Sequence, residues 1–446
     1  MSKTDVSRRK FLGRSGALAL TLPLAAAIPA AIEVASPKKV GAAVVDMRQG
    51  IPNRVLPTRA IPTQSYTVPN MPTNGTDCAQ AINDAIAYVV QQYGGGTVII
   101  PWHNTGGNQC VYMLNPMFQQ DGTANCSGTT VPVYCGIKLA SYVRLQFRPG
   151  VKIQAMPVTQ NPVVTNRAYM VYGHQIQDVE IANGWFVGER YTHVYSGLCT
   201  GTDEWCHGFQ LLGVTGITIR GTLISDCTGD GICIGNIGSA TPSDNVLCDV
   251  VSTGNRRQAL SITSGNSISV YDSEFSYTSG TAPGDGIDIE PQGSTSVTNL
   301  TIENCVIKGN SGDGIQLNAA GTTISNVTVK NCMVSYNYYN GFSTQNSNGG
   351  IIDTGMVIGN AFFQNGNYGL QLGGTTTHYT VGGGGSNGTN SNSFADNQNL
   401  YNSIVYPDLT QTNTQGYVSG TDMNLSANSL LASSNNLIDW NSYFTP

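Results

Sequence analysis

The most regular feature of this chain is a short apolar-polar-apolar unit that returns at nearly constant spacing. It reads GICI at Gly231, ALSI at Ala259, GIDI at Gly286, GIQL at Gly314, GFST at Gly341 and GLQL at Gly369, with steps of 28, 27, 28, 27 and 28 residues. An earlier GFQL at Gly208 lies 23 residues before the first. Each unit is followed by a second alternating segment, such as SISVYDSEF, NLTIENCVI or NVTVKNCMV, and period-two alternation predicts a strand with one buried face. A repeat of two or three strands without a helix cannot bury that face alone. It must stack on its neighbours, which predicts a parallel β-helix solenoid.

The turns fit the same repeat. Asp272, Asn304, Asn331 and Asn360 are expected to share one position after the second strand, and Asn310 and Asn337 another six residues later. Side chains stacked about 4.8 Å apart can hydrogen-bond along the solenoid. An open solenoid end needs a cover. The stretch from Asp77 to about Tyr93 predicts a capping helix, with Asp77 as N-cap, Ala81, Ile82, Ala85, Ile86, Val89 and Val90 on one stripe, and Gly94 to Gly96 as the stop.

Composition agrees with an all-β chain. Only 11% of the 446 residues are charged, against roughly 25% in an average soluble protein. The 53 glycines suit many tight turns. A net charge of −6 gives no basic footprint, so nucleic acid is not an expected partner.

The first 43 residues are read as a targeting segment and linker, and 44–446 as the β-helix domain, with regular coils over about 208–380 and an irregular tail over about 381–446. Arg8 and Arg9, within SRRKFL, precede a weakly apolar run broken by Pro23 and Pro29. This resembles a twin-arginine export signal and implies a periplasmic or secreted protein without an integral membrane anchor. An oxidising compartment permits disulfides, and sequence proximity suggests Cys126 with Cys135, Cys199 with Cys206, and Cys78 with Cys110. Cys305 and Cys332, 27 residues apart, are read as small apolar residues stacked in the repeat. No C-x-x-C pair or His partner suggests a metal site.

Chemistry has to lie on the outer face of the coils. With Ile287 and Ile289 inward, Asp288 and Glu290 point outward on one face, about 6 to 7 Å apart. The first outward position otherwise reads Gln210, Cys233, Ser261, Gln316, Ser343 and Gln371. The next reads Gly235, Thr263, Asn318, Gln345 and Gly373. One coil alone carries acids there, which makes Asp288 and Glu290 candidate acid and base. Asp285 at the preceding corner is a third acid, a metal ligand or a turn former. Asp230 and Asp313, in similar GDG turns, are read as structural. One coil step away, Arg256, Arg257 and Gln258 are candidate substrate ligands, expected to lower the pKa of the acids. Ser261, Gln316, Asn318 and Tyr339 complete that set, and Tyr336 and Tyr338 join Tyr339 as aromatic faces for sugar rings.

The NGTD segment, the amphipathic helix and GGGTVIIP resemble the opening of the pectate-lyase-like superfamily of right-handed β-helices. The resemblance covers residues 70 to 380. It implies an enzyme acting on a polysaccharide or oligosaccharide, and the Asp288-x-Glu290 pair is similar to the paired acids of some β-helical hydrolases, such as those acting on carrageenan. The NTD, DD, GHG and RIK set of polygalacturonases and the DPH signature of alginate epimerases are absent. Glycoside hydrolysis without a cofactor is therefore the leading expectation. The alternatives are a Ca²⁺-dependent lyase or epimerase, with Asp285, Asp288 and Glu290 as ligands and Arg256 or Arg257 as base, and a non-catalytic glycan-binding solenoid.

Overall fold

The computed structural model describes residues 54–373 except 74, 104–109, 127, 159–166 and 196–202, together with 376–381, 392–395, 404–405 and 429–430. They belong to one compact unit, Pro52–Trp440. The targeting segment expected over 1–43 and most of the tail lie outside the described residues.

The repeat is a parallel β-helix with three strands per coil. The strand that defined the periodicity forms an eleven-stranded sheet. In it Ile232 pairs with Leu260, Leu260 with Ile287, Ile287 with Ile315, Ile315 with Phe342 and Phe342 with Leu370. Long strands such as Gly265–Tyr271, Ser296–Glu303 and Thr323–Lys330 form a second stack. Short strands such as Glu274–Ser276, Val306–Lys308 and Met333–Ser335 form a third. The inward side chains of all three stacks make one continuous core. Each buried Leu, Ile or Phe contributes on the order of 1.5–3 kcal/mol.

A left-handed residue bends the chain between the long and short strands: Asp272, Asn304 and Asn331 have φ near 51°, 55° and 54°. Their amides donate to the carbonyls of Glu303, Lys330 and Ile358 in turn, so the fourth member of this row is Gly359, not Asn360. Asn360 stacks one residue later, where its side-chain oxygen accepts from the Cys332 amide. The second row is as expected and longer: Asn310 accepts from the Thr278 amide, Asn337 from Asn310 and Asn365 from Asn337.

The capping helix runs over Ala79–Tyr93, with Cys78 at the N-cap position and Gly94 closing it at φ 74°. Asp77 stands one residue too early to be the N-cap. Its Oδ1 instead joins the Ala79 amide at 3.0 Å to the Asn115 amide at 2.9 Å, tying the helix start to the first coil. No helix among the described residues is long and apolar enough to cross a membrane.

The three disulfides expected from proximity do not form, because Cys78, Cys110, Cys135 and Cys206 are all free and buried. Cys126 and Cys135 sit at opposite ends of one antiparallel hairpin, where Cys126 faces Thr129 and Cys135 faces Gln119. Cys126 is disulfide-bonded, and Cys199 lies outside the described residues. Cys305 and Cys332 are core residues, as read from the repeat.

Candidate functional site

The corner before each strand of the eleven-stranded sheet is a second stacked row. Backbone hydrogen bonds align His207, Asp230, Gln258, Asp285, Asp313, Asn340 and Tyr368 coil by coil. Most members use a side chain to hold the amide of the next: His207 Nδ1 accepts from Asp230, Asp230 from Gln258, Asp285 from Asp313, and Asp313 from Asn340. This is why GDG recurs, and the turn reading of Asp230 and Asp313 agrees with it.

The outer carboxylate oxygen separates these acids. At Asp230 it accepts from Ser261 Oγ at 2.8 Å, and at Asp313 from Ser343 Oγ and Gln316 Nε2. At Asp285 the corresponding Oδ2 is buried and has no hydrogen-bond partner among the described residues. Asp288 stands beside it in the place taken by Ser261 one coil earlier and by Gln316 one coil later. Burial, then the charges of Asp288 and Asp313, push the Asp285 carboxyl well above the usual carboxylate range. The expectation that the arginines lower the acids does not hold at Asp285, because desolvation and like charge outweigh the distant attraction of Arg257.

Asp288 points away from the core but is only 3% exposed. It is covered, not presented on an open surface, and Gln258 Nε2 donates to its Oδ2. The Gln258 amide is fixed from the other side, since Ser261 Oγ donates to its Oε1 at 3.0 Å. Glu290 is half-buried just beyond the strand Ile287–Ile289 and accepts from Asn318 Nδ2 at 3.1 Å.

The two arginines have different surroundings. Arg257 is buried, with Nη1 at 3.0 Å from both oxygens of Asp230 and Nε at 3.6 Å from Glu204. Burial alone would lower its pKa, but the Asp230 and Glu204 charges more than reverse that and hold the guanidinium charged. Arg257 and the fully buried Gln258 are thus framework groups, not the substrate ligands expected of them. Ser261, 1% exposed and bonded to Asp230 and Gln258, belongs with them. Arg256 is half-buried and stacks 4.1 Å from the Tyr195 ring centroid. Gln316 and Asn318 are half-buried, and Tyr336, Tyr338 and Tyr339 are exposed two coils beyond the acids.

Two buried histidines complete the surroundings. His207 stacks on Tyr169, and burial pushes its pKa down to about 4. His207, Asp230 and Cys233 lie close enough to hold a metal ion. Two of the three are already engaged, however: His207 Nδ1 accepts the Asp230 amide and Arg257 neutralises Asp230. His193 is joined to Glu189 at 2.6 Å, and Thr228 also donates to Glu189. No sequence periodicity marked that pair, because it lies on an insertion outside the repeat.

Residues 207–385 match the family model described as right handed beta helix region. The fold is a right-handed parallel β-helix. Among solved structures, the A-module of mannuronan C-5 epimerase AlgE4 from Azotobacter vinelandii is similar at a TM-score of 0.53 and 14% identity, covering 75% of this β-helix chain and 78% of that one. The AlgE6 A-module from the same organism gives 0.51 and 16%, covering 75% and 77%. A curated relative, "Uncharacterized protein YclG" of Bacillus subtilis (strain 168), is 32% identical over 151 residues. That match spans 30% of this chain and 26% of the relative.

Proposed function

We propose that this β-helix is an exported carbohydrate-active enzyme, a glycoside hydrolase that cleaves a polysaccharide or oligosaccharide with Asp285, Asp288 and Glu290. One observation carries the reading: a single coil bears acids at the corner and at two successive outward positions, and burial beside Asp288 pushes the Asp285 carboxyl well above the usual carboxylate range. Glycoside hydrolysis needs one protonated carboxyl and one ionised carboxylate.

In this mechanism Asp285 is too buried to reach a sugar and keeps one proton within its pair with Asp288. Glycan binding uncovers Asp288, which then gives that proton to the glycosidic oxygen. As the bond from this oxygen to the anomeric carbon breaks, water adds to the carbon and gives a proton to Glu290. Gln258 holds the Asp288 carboxyl in place through the rest of the cycle. The expected twin-arginine segment assigns the enzyme to the periplasm or the exterior.

The same acids in a Ca²⁺-dependent lyase or epimerase would have to be charged together and served by a basic side chain. Arg257, held charged by Asp230, is a poor acceptor for the proton that either reaction removes. The test is digestion of a glycan panel with product analysis. Hydrolysis gives new reducing ends without ultraviolet-absorbing unsaturated products, resists chelator, and falls about 10²-fold or more in Asp288→Asn and Glu290→Gln. Unsaturated products lost on chelation would select the lyase, a changed uronate composition without cleavage the epimerase, and binding without turnover the glycan-binding solenoid.

A further inference from the structure

On the outer face of the eleven-stranded sheet the acid coil is bordered by uncharged positions on both sides, and side-chain amides gather on the C-terminal side. On the C-terminal side the outward positions are Gln316, Asn318, Ser343, Gln345, Gln371 and Gly373, none of them charged. Gln316, Asn318 and Gln371 are half-buried and Gln345 is exposed, so four amides face outward along three successive coils. Two are fixed by the neighbouring acids: Gln316 Nε2 donates to Asp313 at 3.2 Å and Asn318 Nδ2 to Glu290 at 3.1 Å. These bonds orient the two amides, and each keeps a further N–H and a carbonyl oxygen beyond the bond it makes.

The same coils present an aromatic edge. Tyr338 and Tyr339 are 67% and 52% exposed and meet edge to face, with centroids 4.9 Å apart. The Tyr339 amide donates to the Gly312 carbonyl and that of Arg257 to the Gly229 carbonyl, so Tyr339 holds the position from which Arg257 reaches the corner of the coil before it. The pair therefore flanks the corner row two coils, about 10 Å, from Asp285.

We infer that this surface is a saccharide subsite for uncharged sugar rings, with the glycan lying along the solenoid axis from the acid coil toward the C-terminal coils. Amides that both donate and accept match hydroxyl groups, which do the same. A tyrosine ring offers the apolar face that the C–H side of a sugar requires. A uronate or sulfate ester at this place would find no counter-charge among the described outward residues. The inference rests on the hydrolase reading for its direction from the acid coil, and it adds a substrate class on that side.

The test is native affinity electrophoresis through gels containing xylan, galactan, hydroxyethyl cellulose or polygalacturonate, using Asp288→Asn so that no polymer is cut. Retardation by at least one neutral polymer is expected, with about a tenfold weaker apparent affinity in Asp288→Asn/Tyr338→Ala/Tyr339→Ala. Both tyrosines are exposed, so the fold should tolerate their loss, and an unchanged Tm verifies this. Retardation by polygalacturonate alone, by no neutral polymer, or unchanged by the tyrosine substitutions would overturn the inference. The hydrolase reading is tested separately: it fails if Asp288→Asn and Glu290→Gln retain full turnover, whatever the gels show.

Discussion

Gln258 donates its side-chain amide to the Asp288 carboxylate across one coil step. The direction of that bond is set behind it, because the Ser261 hydroxyl lies 3.0 Å from the Gln258 carbonyl oxygen and 2.8 Å from Asp230 and shares its one proton between the two acceptors. Gln258 is fully buried, so in the proposed hydrolysis its effect is expected to pass through Asp288 and not through contact with the sugar. Gln258→Met keeps the volume and removes the amide. It should lower kcat about tenfold and leave KM within a factor of two, whereas a substrate ligand would raise KM. Steady-state kinetics on the polymer selected by the digest decide between them, and Gln258→Glu should not rescue, since it sets a second acid against Asp288.

Asp285 should make the protein's stability depend on pH in a specific direction. Its folded-state pKa is raised, so the stabilising contribution is complete below the unfolded value, about 3.9, and is lost as pH rises toward the folded value. Asp313, raised by burial against its hydrogen bonds, adds in the same direction. Asp285→Asn mimics the protonated form and should flatten the decline. Thermal unfolding measured from pH 4 to 8 should give a falling Tm in the wild type and a shallower fall in the variant. Parallel curves would show that Asp285 is ionised throughout.

Arg257 should matter for folding more than for binding. Arg257→Met leaves Asp230 buried beside Ser261 without its cation, and breaking a buried pair in this way costs about 3–5 kcal/mol. Removing the anion as well, in Arg257→Met/Asp230→Asn, should recover much of that loss. Denaturant titrations measure both values. A stable single variant with a raised KM would instead make Arg257 a substrate ligand.

The fold was legible in the sequence because a solenoid repeats its instructions. Ile232, Leu260, Ile287 and Ile315 occur at the spacing of one coil, and that regularity set both sheet and register. The singular acids stood out against the same background. What spacing did not carry was the burial of each outward group. Asp288 and Arg257 occupy outward or corner positions in pattern, yet neighbouring coils cover both, and this turned an expected ligand into a framework cation. Asn360 missed its row by one residue because the glycine before it, Gly359 at φ 68°, supplies the same bend without a side chain. The Glu189–His193 pair and the Cys126 disulfide depend on insertions outside the repeat, where no periodic signal exists.

Gly312 provides the last prediction, because it forms the floor against which Asp285 rests. A Cβ at Gly312 would overlap Asp285 Oδ1 and the Pro283 carbonyl oxygen. The second of these is backbone and cannot swing aside, so Gly312→Ala must move the turn that ends at Asp285. Overpacking of this kind costs about 1–3 kcal/mol. The displaced carboxyl would also lose its bond from the Asp313 amide, now 2.6 Å long, and its place beside Asp288. Gly312→Ala should therefore reduce kcat at least tenfold at a temperature where the variant remains folded by circular dichroism. The control is Ser311→Ala, an exposed neighbour, which should stay within about 0.5 kcal/mol of wild type. Full activity in folded Gly312→Ala would mean that the position of Asp285 does not matter to the chemistry, and would remove it from the proposed machinery while leaving Asp288 and Glu290 in place.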